Sequence, residues 1–140
     1  MMNITVDWKG GMCLEGHNSE QKNTLFDSHS SENYVSKAAT PMEIMLQSMA
    51  ACSVMDVLSI LEKKRKHIIS LHVEVSGNRA DEHPKVFTSV LLKFFVKSTD
   101  AELKDIERSV ELSQQTYCSA AAMFKRSGCD VKTECYLDIV

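Results

Sequence analysis

The sequence has little of what marks fibrous, disordered or charge-driven proteins. Only 2 of its 140 residues are proline and 5 are glycine, which excludes collagen-like and linker-like chains. A net charge of −3 gives no electrostatic reason to bind nucleic acid or an anionic membrane surface. Hydrophobic residues make up 44% and charged residues 25%, as in ordered globular proteins. The length predicts a single domain over residues 1–140.

Sulfur is what the sequence has in excess, with 8 methionines and 5 cysteines. An odd number of cysteines cannot pair completely within one chain. The first residues have neither the basic nor the apolar region of a secretory signal. We therefore expect free thiols in the reducing cytoplasm.

Hydrophobic periodicity predicts an α+β fold. Residues before 27 alternate apolar and polar side chains around a Gly10-Gly11 turn, which is typical of short antiparallel strands. A polar loop at 27–40 leads to a helix from Pro41, because Thr40 suits the N-cap and proline the first helical position. The remaining elements are predicted as strands at 71–76 and 86–97 around a turn at 77–84, a second helical region at 98–126 that breaks near Tyr117, and a final strand at 130–139.

The long helix predicts a homodimer. Between Pro41 and Leu61 it is apolar around most of its circumference, and only Glu43 and Asp56 are charged. Interrupting polar residues argue against a membrane span. About 26 helical residues extend roughly 40 Å, close to the diameter of a compact domain of this length, so one chain has little left to cover the helix. We therefore expect a second copy to bury it, with both helices near the centre of the dimer.

The strand predicted at 86–97 is largely apolar on both faces, which predicts a central place in its sheet or at a dimer contact. One face is expected to carry Val86, Val90, Leu92, Phe94 and Val96, and the other Phe87, Leu91 and Phe95.

No spacing in the sequence is typical of a metal site. There is no Cys-x-x-Cys, and no histidine is paired at i, i+4 with another ligand type, so we expect neither a metal nor a cofactor. Three cysteines are interpreted as structural. Cys135, with Cys129, belongs to the apolar face of the final strand, where cysteine acts as a small hydrophobe, and Cys13 to a short N-terminal strand.

Cys52 and Cys118 lie instead in helical stretches rich in alanine and serine, whose small side chains let another helix or a small substrate approach the sulfur. Asp56 shares the helix face of Cys52. A helix restart at Tyr117-Cys118 would place Cys118 at a positive helix end, which favours the thiolate. From spacing alone, helix packing remains the more ordinary interpretation of both cysteines.

Two segments resemble the OsmC/Ohr family of thiol-dependent hydroperoxide reductases. Residues 41–57 resemble the family's first-cysteine helix, and residues 117–121 resemble its second-cysteine segment. The order of elements and the separation of the two motifs also fit. The Cys-x-x-x-Asp pattern of Cys52 and Asp56 is more similar to an OsmC-like subgroup than to the peroxidases.

The resemblance implies an intertwined α+β homodimer with two sites at its interface. Cys52 would attack the O–O bond of an organic hydroperoxide, as part of oxidative stress defence. Cys118 would condense with the resulting sulfenic acid, and a small or protein dithiol would reduce the disulfide. Met42, Met45 and Met49 would line an apolar pocket for the organic group, with aromatic residues such as Phe87 or Phe95, or would belong to the core.

The chain departs from the peroxidases at the activating residues. Those enzymes use an N-terminal arginine and a glutamate near the start of the first-cysteine helix. No arginine precedes Arg65, and the position of the glutamate falls on Met42, with Glu43 next to it. Arg79 from a partner chain is one candidate for the missing cation.

The departure leaves two hypotheses open. An ionised Asp56 beside Cys52 would disfavour the thiolate by like-charge repulsion, which counts against a peroxidase. The first hypothesis is nevertheless a Cys52/Cys118 peroxidase, because both cysteines are kept. The second is a non-peroxidase dimer of the same fold that binds a small apolar or electrophilic ligand or responds to redox state.

Overall fold

The computed structural model describes residues 1–140, and it is α+β with two three-stranded sheets. The elements are β1 (Thr5–Trp8), β2 (Leu14–His17), β3 (Asn23–Phe26), α1 (Pro41–Lys63), β4 (Ile68–Arg79), β5 (Phe87–Ser98), α2 (Leu103–Leu112), α3 (Ser119–Arg126) and β6 (Asp130–Ile139). A π-helical turn at Ser113–Tyr117 joins α2 to α3. The chain forms two compact units, residues 1–45 and 46–140, and each is described by itself. The single-domain assignment stays a prediction.

The first unit contains the antiparallel sheet β1-β2-β3, which confirms the predicted N-terminal strands. Gly10 and Gly11 have φ values of 102° and 57°, a conformation that favours glycine and closes the first hairpin. The loop after β3 is organised by buried Asp27, whose carboxylate accepts hydrogen bonds from the Tyr34 hydroxyl at 2.6 Å and the Lys37 amide at 2.9 Å. Cys13 precedes β2 instead of lying in a strand, because its amide is bonded to Gly10 in the turn.

Helix α1 begins at Pro41, as predicted. A capping box fixes this end, since the Glu43 carboxylate accepts from the Thr40 amide at 2.9 Å and the Thr40 hydroxyl accepts from the Glu43 amide at 3.3 Å. The helix ends at Lys63, earlier than predicted. The reason is that Arg65 takes φ 57° and the Lys66 amide bonds back to the Leu61 carbonyl.

Only one stripe of α1 is buried within the chain, formed at four-residue intervals by Met49, Ser53, Val57 and Leu61. Of the other large apolar side chains of the helix, Met45, Met55 and Leu58 are exposed, and the rest are half-buried. By length and mean hydropathy α1 could cross a bilayer, a property that core helices of soluble proteins share. The predicted burial on several sides is therefore not reached within one chain.

The second sheet has the order β4-β5-β6, which confirms β5 as the central strand; β4 pairs with it antiparallel and β6 parallel. Two predictions here were wrong. β4 continues through Gly77 to Arg79, so the turn begins only at Ala80. Phe87 lies on the buried face with Val90. Asn78 pairs with Ser89 and Arg79 with Phe87, so one residue of β5 between Phe87 and Ser89 is unpaired and reverses the alternation of side chains between the faces.

The buried face of β5 carries Leu92, Phe94 and Val96. Phe95 lies on the other, half-exposed face, where it stacks on Tyr136 with ring centroids 4.9 Å apart. The second helical region confirms the break predicted near Tyr117, because Cys118 is extended (φ −77°, ψ 96°) and α3 restarts immediately after it. The region begins later than predicted, since Ser98 is the last residue of β5 and its hydroxyl caps the Ala101 amide.

Candidate active site

The fold of residues 46–140 brings Cys52 and Cys118 together, although 66 positions separate them in the sequence. Cys52 and Asp56 lie one turn apart on α1, and Cys118 is the N-cap residue of α3. The two sulfur atoms and a carboxylate oxygen of Asp56 all lie within 4.8 Å of one another. Both thiols are free, and Cys52 is half-buried whereas Cys118 is 3% exposed.

The Cys118 sulfur accepts two hydrogen bonds, from the Ser53 hydroxyl at 3.2 Å and from the Ala121 amide at 3.3 Å. The amide bond is the N-cap interaction that starts α3. Burial raises the pKa of the Cys118 thiol, and these two hydrogen bonds oppose that effect by favouring the thiolate, while the neighbouring Cys52 sulfur raises it further. The sulfur is therefore shielded from solvent and still provided with donors.

Gln114 orients the hydroxyl of Ser53 towards the Cys118 sulfur. The Gln114 side-chain amide nitrogen donates to Ser53 Oγ at 2.7 Å, so the hydroxyl's own hydrogen is free for the Cys118 sulfur. The main chain at Gln114 is bonded to Lys125, whose Nζ donates to the main-chain carbonyl oxygen of Gln114 at 2.7 Å. The π-helical turn thus supplies the residue that orients the donor to Cys118.

The π-helical turn also supplies a hydrogen bond to Asp56. Its Oδ2 atom accepts from the hydroxyl of fully buried Ser113 at 2.9 Å, and Asp56 forms no salt bridge. A cavity of about 320 Å³ adjoins this carboxylate. It is lined by Asp56, Ser59, Ile60, Lys63, Lys64, Leu112 and Tyr117. The cavity offers apolar and cationic groups next to the cluster of two sulfurs and one carboxylate.

The two supporting residues proposed from the sequence are engaged elsewhere. Glu43 closes the capping box of α1, and the Thr40 hydrogen bonds lower the pKa of its carboxyl. Arg79 is exposed at the end of β4, and its Nε donates to the Lys85 carbonyl at 2.8 Å. Neither makes a hydrogen bond to Cys52, Asp56 or Cys118 in the chain, and their supporting roles stay predictions.

The three methionines proposed for the pocket have different surroundings. Met49 is fully buried in the α1 stripe, and its carbonyl oxygen is 3.9 Å from the Cys118 sulfur. Met42 is half-buried and Met45 is 48% exposed. None of the three lines the cavity beside Asp56, and their pocket role also stays a prediction.

The other cysteines lie apart from this cluster. Cys129 is buried just before β6, and Cys135 is half-buried on β6. Burial raises the pKa of both thiols, that of Cys135 to about 11, which disfavours their thiolates.

Three residues of the site had no role in the sequence-based prediction, namely Ser53, Ser113 and Gln114. Ser53 had a detectable signal, because it is the polar member of an otherwise apolar stripe at four-residue spacing. Ser113 had none, since the π-helical turn aims it at α1.

Known proteins similar to this chain agree with the fold and identify its family. The family model described as OsmC-like protein matches residues 34–134. Protein YhfA of Escherichia coli K12 is 33% identical over 126 residues, covering 90% of this chain and 91% of YhfA.

Solved structures share the fold over nearly the full length. A hypothetical protein from Aquifex aeolicus has a TM-score of 0.82 at 26% identity, covering 99% of this chain and 98% of that one. The organic hydroperoxide resistance protein OhrB of Bacillus subtilis has a TM-score of 0.61 at 18% identity, covering 96% and 97% of the two chains. Because the OsmC-like family model matches most of its length and YhfA is 33% identical over 90% of it, the chain belongs to the OsmC-like protein family.

Proposed function

We propose that the chain reduces organic hydroperoxides with Cys52 and Cys118 as a dithiol pair. The observation that carries the proposal is the approach of the two sulfur atoms to within 4.8 Å in a largely buried site. Membership of the OsmC-like family supports it, as does the shared fold with an organic hydroperoxide resistance protein.

The unequal exposure of the two thiols supports a different role for each. Cys52 is the half-buried, accessible sulfur, so it attacks the hydroperoxide. Its thiolate forms an S–O bond as the O–O bond breaks, and the departing alkoxide takes a proton to become an alcohol. The Cys118 thiol then attacks the Cys52 sulfenic acid, forming the disulfide and releasing water.

Reduction of the disulfide also depends on the difference in exposure between Cys52 and Cys118. A cellular dithiol attacks the accessible Cys52 sulfur, and Cys118 leaves as a thiolate, to which the Ser53 hydroxyl and Ala121 amide donate hydrogen bonds. The second thiol of the reductant then attacks the mixed disulfide and frees Cys52. The reductant ends as its own disulfide, so electrons and protons balance over the cycle.

Two further features belong to the proposal. The organic group of the hydroperoxide occupies the cavity beside Asp56, which Ile60, Leu112 and Tyr117 make partly apolar. A second copy of the chain covers the exposed apolar residues of α1, and the protein acts in the cytoplasm, where its thiols stay reduced.

The test is hydroperoxide consumption by the reduced protein with dihydrolipoamide as the reductant. Cumene hydroperoxide should be turned over by the wild type and by Cys135→Ser, which removes a thiol outside the cluster. Cys52→Ser should abolish turnover. Without reductant, Cys118→Ser should form one equivalent of alcohol and leave a sulfenic acid on Cys52, because no second thiol is in place to condense with it. Turnover that survives Cys52→Ser contradicts the proposal.

A second candidate function is binding of a small apolar or electrophilic ligand. The carboxylate of Asp56 next to both thiols favours it, together with the lack of any arginine hydrogen-bonded to Cys52, Asp56 or Cys118. In that case the wild type would not consume hydroperoxide, and a ligand would protect Cys52 from alkylation. Equal alkylation of all five thiols with and without ligand would contradict this function.

A further inference from the structure

We propose that Cys52, Asp56 and Cys118 form a binding site for a zinc ion, with one coordination position open. The three donor atoms lie within 4.8 Å of one another on α1 and at the N-cap of α3. Two thiolates and a carboxylate form a donor set that suits Zn²⁺. Three protein ligands with an open fourth position are the arrangement of reactive zinc sites, whereas structural sites have four.

The distances require only a small adjustment of side chains. Cys52 and Asp56 are four residues apart on one helix, a spacing that directs both side chains to the same side. In a tetrahedral site with Zn–S bonds of about 2.3 Å, two sulfur atoms lie about 3.8 Å apart. Starting from no more than 4.8 Å, the donors must approach by about 1 Å at most, which side-chain rotation can supply.

Hydrogen bonds already hold two of the three ligands in the manner of an outer coordination shell. Ser113 donates to the Asp56 carboxylate at 2.9 Å, and Ser53 and the Ala121 amide donate to the Cys118 sulfur. Partners of this kind orient ligands and stabilise their anionic forms.

The charge of the cluster also points to a cation. Two thiolates and one carboxylate carry three negative charges, and Zn²⁺ would leave one. No lysine or arginine in the chain forms a hydrogen bond or salt bridge to these three side chains; Lys125, on the adjacent α3, is bonded to the Gln114 carbonyl. Lys63 and Lys64 line the cavity beside Asp56 without forming an ion pair with it, so a divalent ion would supply a direct neutralisation that no side chain of the cluster receives.

Metal binding and disulfide formation exclude each other, because each uses both sulfur atoms. Two zinc-bound thiolates, one hydroperoxide and two protons give a disulfide, an alcohol, water and free Zn²⁺. The thiolates lose two electrons and the O–O bond gains them. This coupling rests on the proposed function, whereas the metal site does not.

The test is a Co²⁺ titration of the reduced, chelator-treated full chain, followed by displacement with Zn²⁺. Co²⁺ reports sulfur ligands through a thiolate-to-metal absorption band. We expect one Co²⁺ per chain, displaced by Zn²⁺. Cys52→Ser and Cys118→Ser should each weaken binding by more than about 100-fold, and Asp56→Asn and Ser113→Ala by about tenfold or more with the band retained.

Cys135→Ser is the matched control, because it removes a half-buried thiol outside the cluster and should keep wild-type affinity. Circular dichroism establishes that each variant is folded, and Cys52→Ala or Asp56→Ala replaces a variant that is not. A wild type without the thiolate band overturns the proposal, as does unchanged affinity in Cys52→Ser or Asp56→Asn. Hydroperoxide turnover is measured separately on metal-free protein, so its absence would refute the proposed function and leave the metal site standing.

Discussion

The reactivity of the Cys118 sulfur depends on individual neighbours that act in opposite directions. Burial disfavours its thiolate, and the donors from Ser53 and Ala121 favour it. Ser53 is itself oriented by the Gln114 amide. At the scale of single residues, these polar side chains therefore influence how readily Cys118 ionises, on which its proposed roles as resolving thiol and leaving group depend.

Replacement of Ser53 by alanine should raise the pKa of the Cys118 thiol further, because the thiolate loses a hydrogen bond that stabilises it. Alkylation of Cys118 near neutral pH should become about tenfold slower, since hydrogen bonds to charged groups are worth about 1.5 kcal/mol or more. The rate would be measured against pH in a Cys52→Ser background. Ser76→Ala, at an exposed serine of β4, is the control, and an unchanged rate in Ser53→Ala would show that the bond has no influence.

Asp27 makes the first unit sensitive to acid. Hydrogen bonds from the Tyr34 hydroxyl, then the Lys37 amide, lower the pKa of this carboxyl from 3.8 to about 2. Because the folded pKa lies below the unfolded one, the stabilisation is complete above about pH 4 and is lost as the pH falls towards 2. We expect the wild type to lose more stability than Asp27→Asn over this interval, measured by urea unfolding at each pH. Parallel curves for the two proteins would contradict the assignment.

The element that organises the site is α1, since a single stripe of it faces the rest of the chain. Met49, Ser53, Val57 and Leu61 recur at four-residue intervals and are all fully buried. Ser53 occupies the position within this stripe that faces Cys118, so packing of the stripe determines where the Ser53 hydroxyl lies. The same helix therefore supplies core contacts and site contacts.

Leu61→Ala should lower the free energy of unfolding by about 2–5 kcal/mol, because it leaves a cavity at a fully buried position. Leu103→Ala, at a leucine of α2 that is 43% exposed, should change it by less than about 1 kcal/mol. Chemical denaturation of both variants checks the prediction. Equal losses would mean that the buried stripe does not carry the stability assigned to it.

At the scale of the whole molecule, the unburied side of α1 predicts assembly. Met55 is 71% exposed, Met45 48% and Leu58 41% on this one helix, and large exposed apolar surfaces mark interaction sites. A second copy of the chain is the partner we expect.

Sedimentation should therefore give twice the chain mass of 15.7 kDa. Met55→Lys should shift the protein towards the single-chain mass, because it places a charge where we expect the two helices to meet. Arg108→Lys, at an exposed position of α2 with unchanged charge, should sediment as the wild type does. A stable 15.7 kDa species in the wild type would contradict the dimer.

Local patterns predicted most elements, because they depend on neighbouring residues. The start of α1 follows from Thr40 and Pro41, and the break predicted near Tyr117 is also present. The prediction that Phe87 lies on the opposite face from Val90 was wrong, because one unpaired residue in β5 reverses the alternation of side chains between the two faces. Composition does not reveal such an irregularity.

The site was predictable only in part. The motifs singled out Cys52 and Cys118, and helical spacing placed Asp56 beside Cys52. The approach of the two sulfurs and the hydrogen bonds from Ser113 and Gln114 depend on how α3 and the π-helical turn pack on α1, which is tertiary information. Pairwise spacing along the chain contains none of it.

The separation of the two cysteines has a thermodynamic consequence. A disulfide between Cys52 and Cys118 would close a loop of about 66 residues that includes β4, β5 and α2. Closing a loop of this length restricts the unfolded chain by about 4 kcal/mol in the chain-entropy model. The oxidised protein should therefore melt at a higher temperature than the reduced one, so that heat resistance itself would report the redox state of the cell.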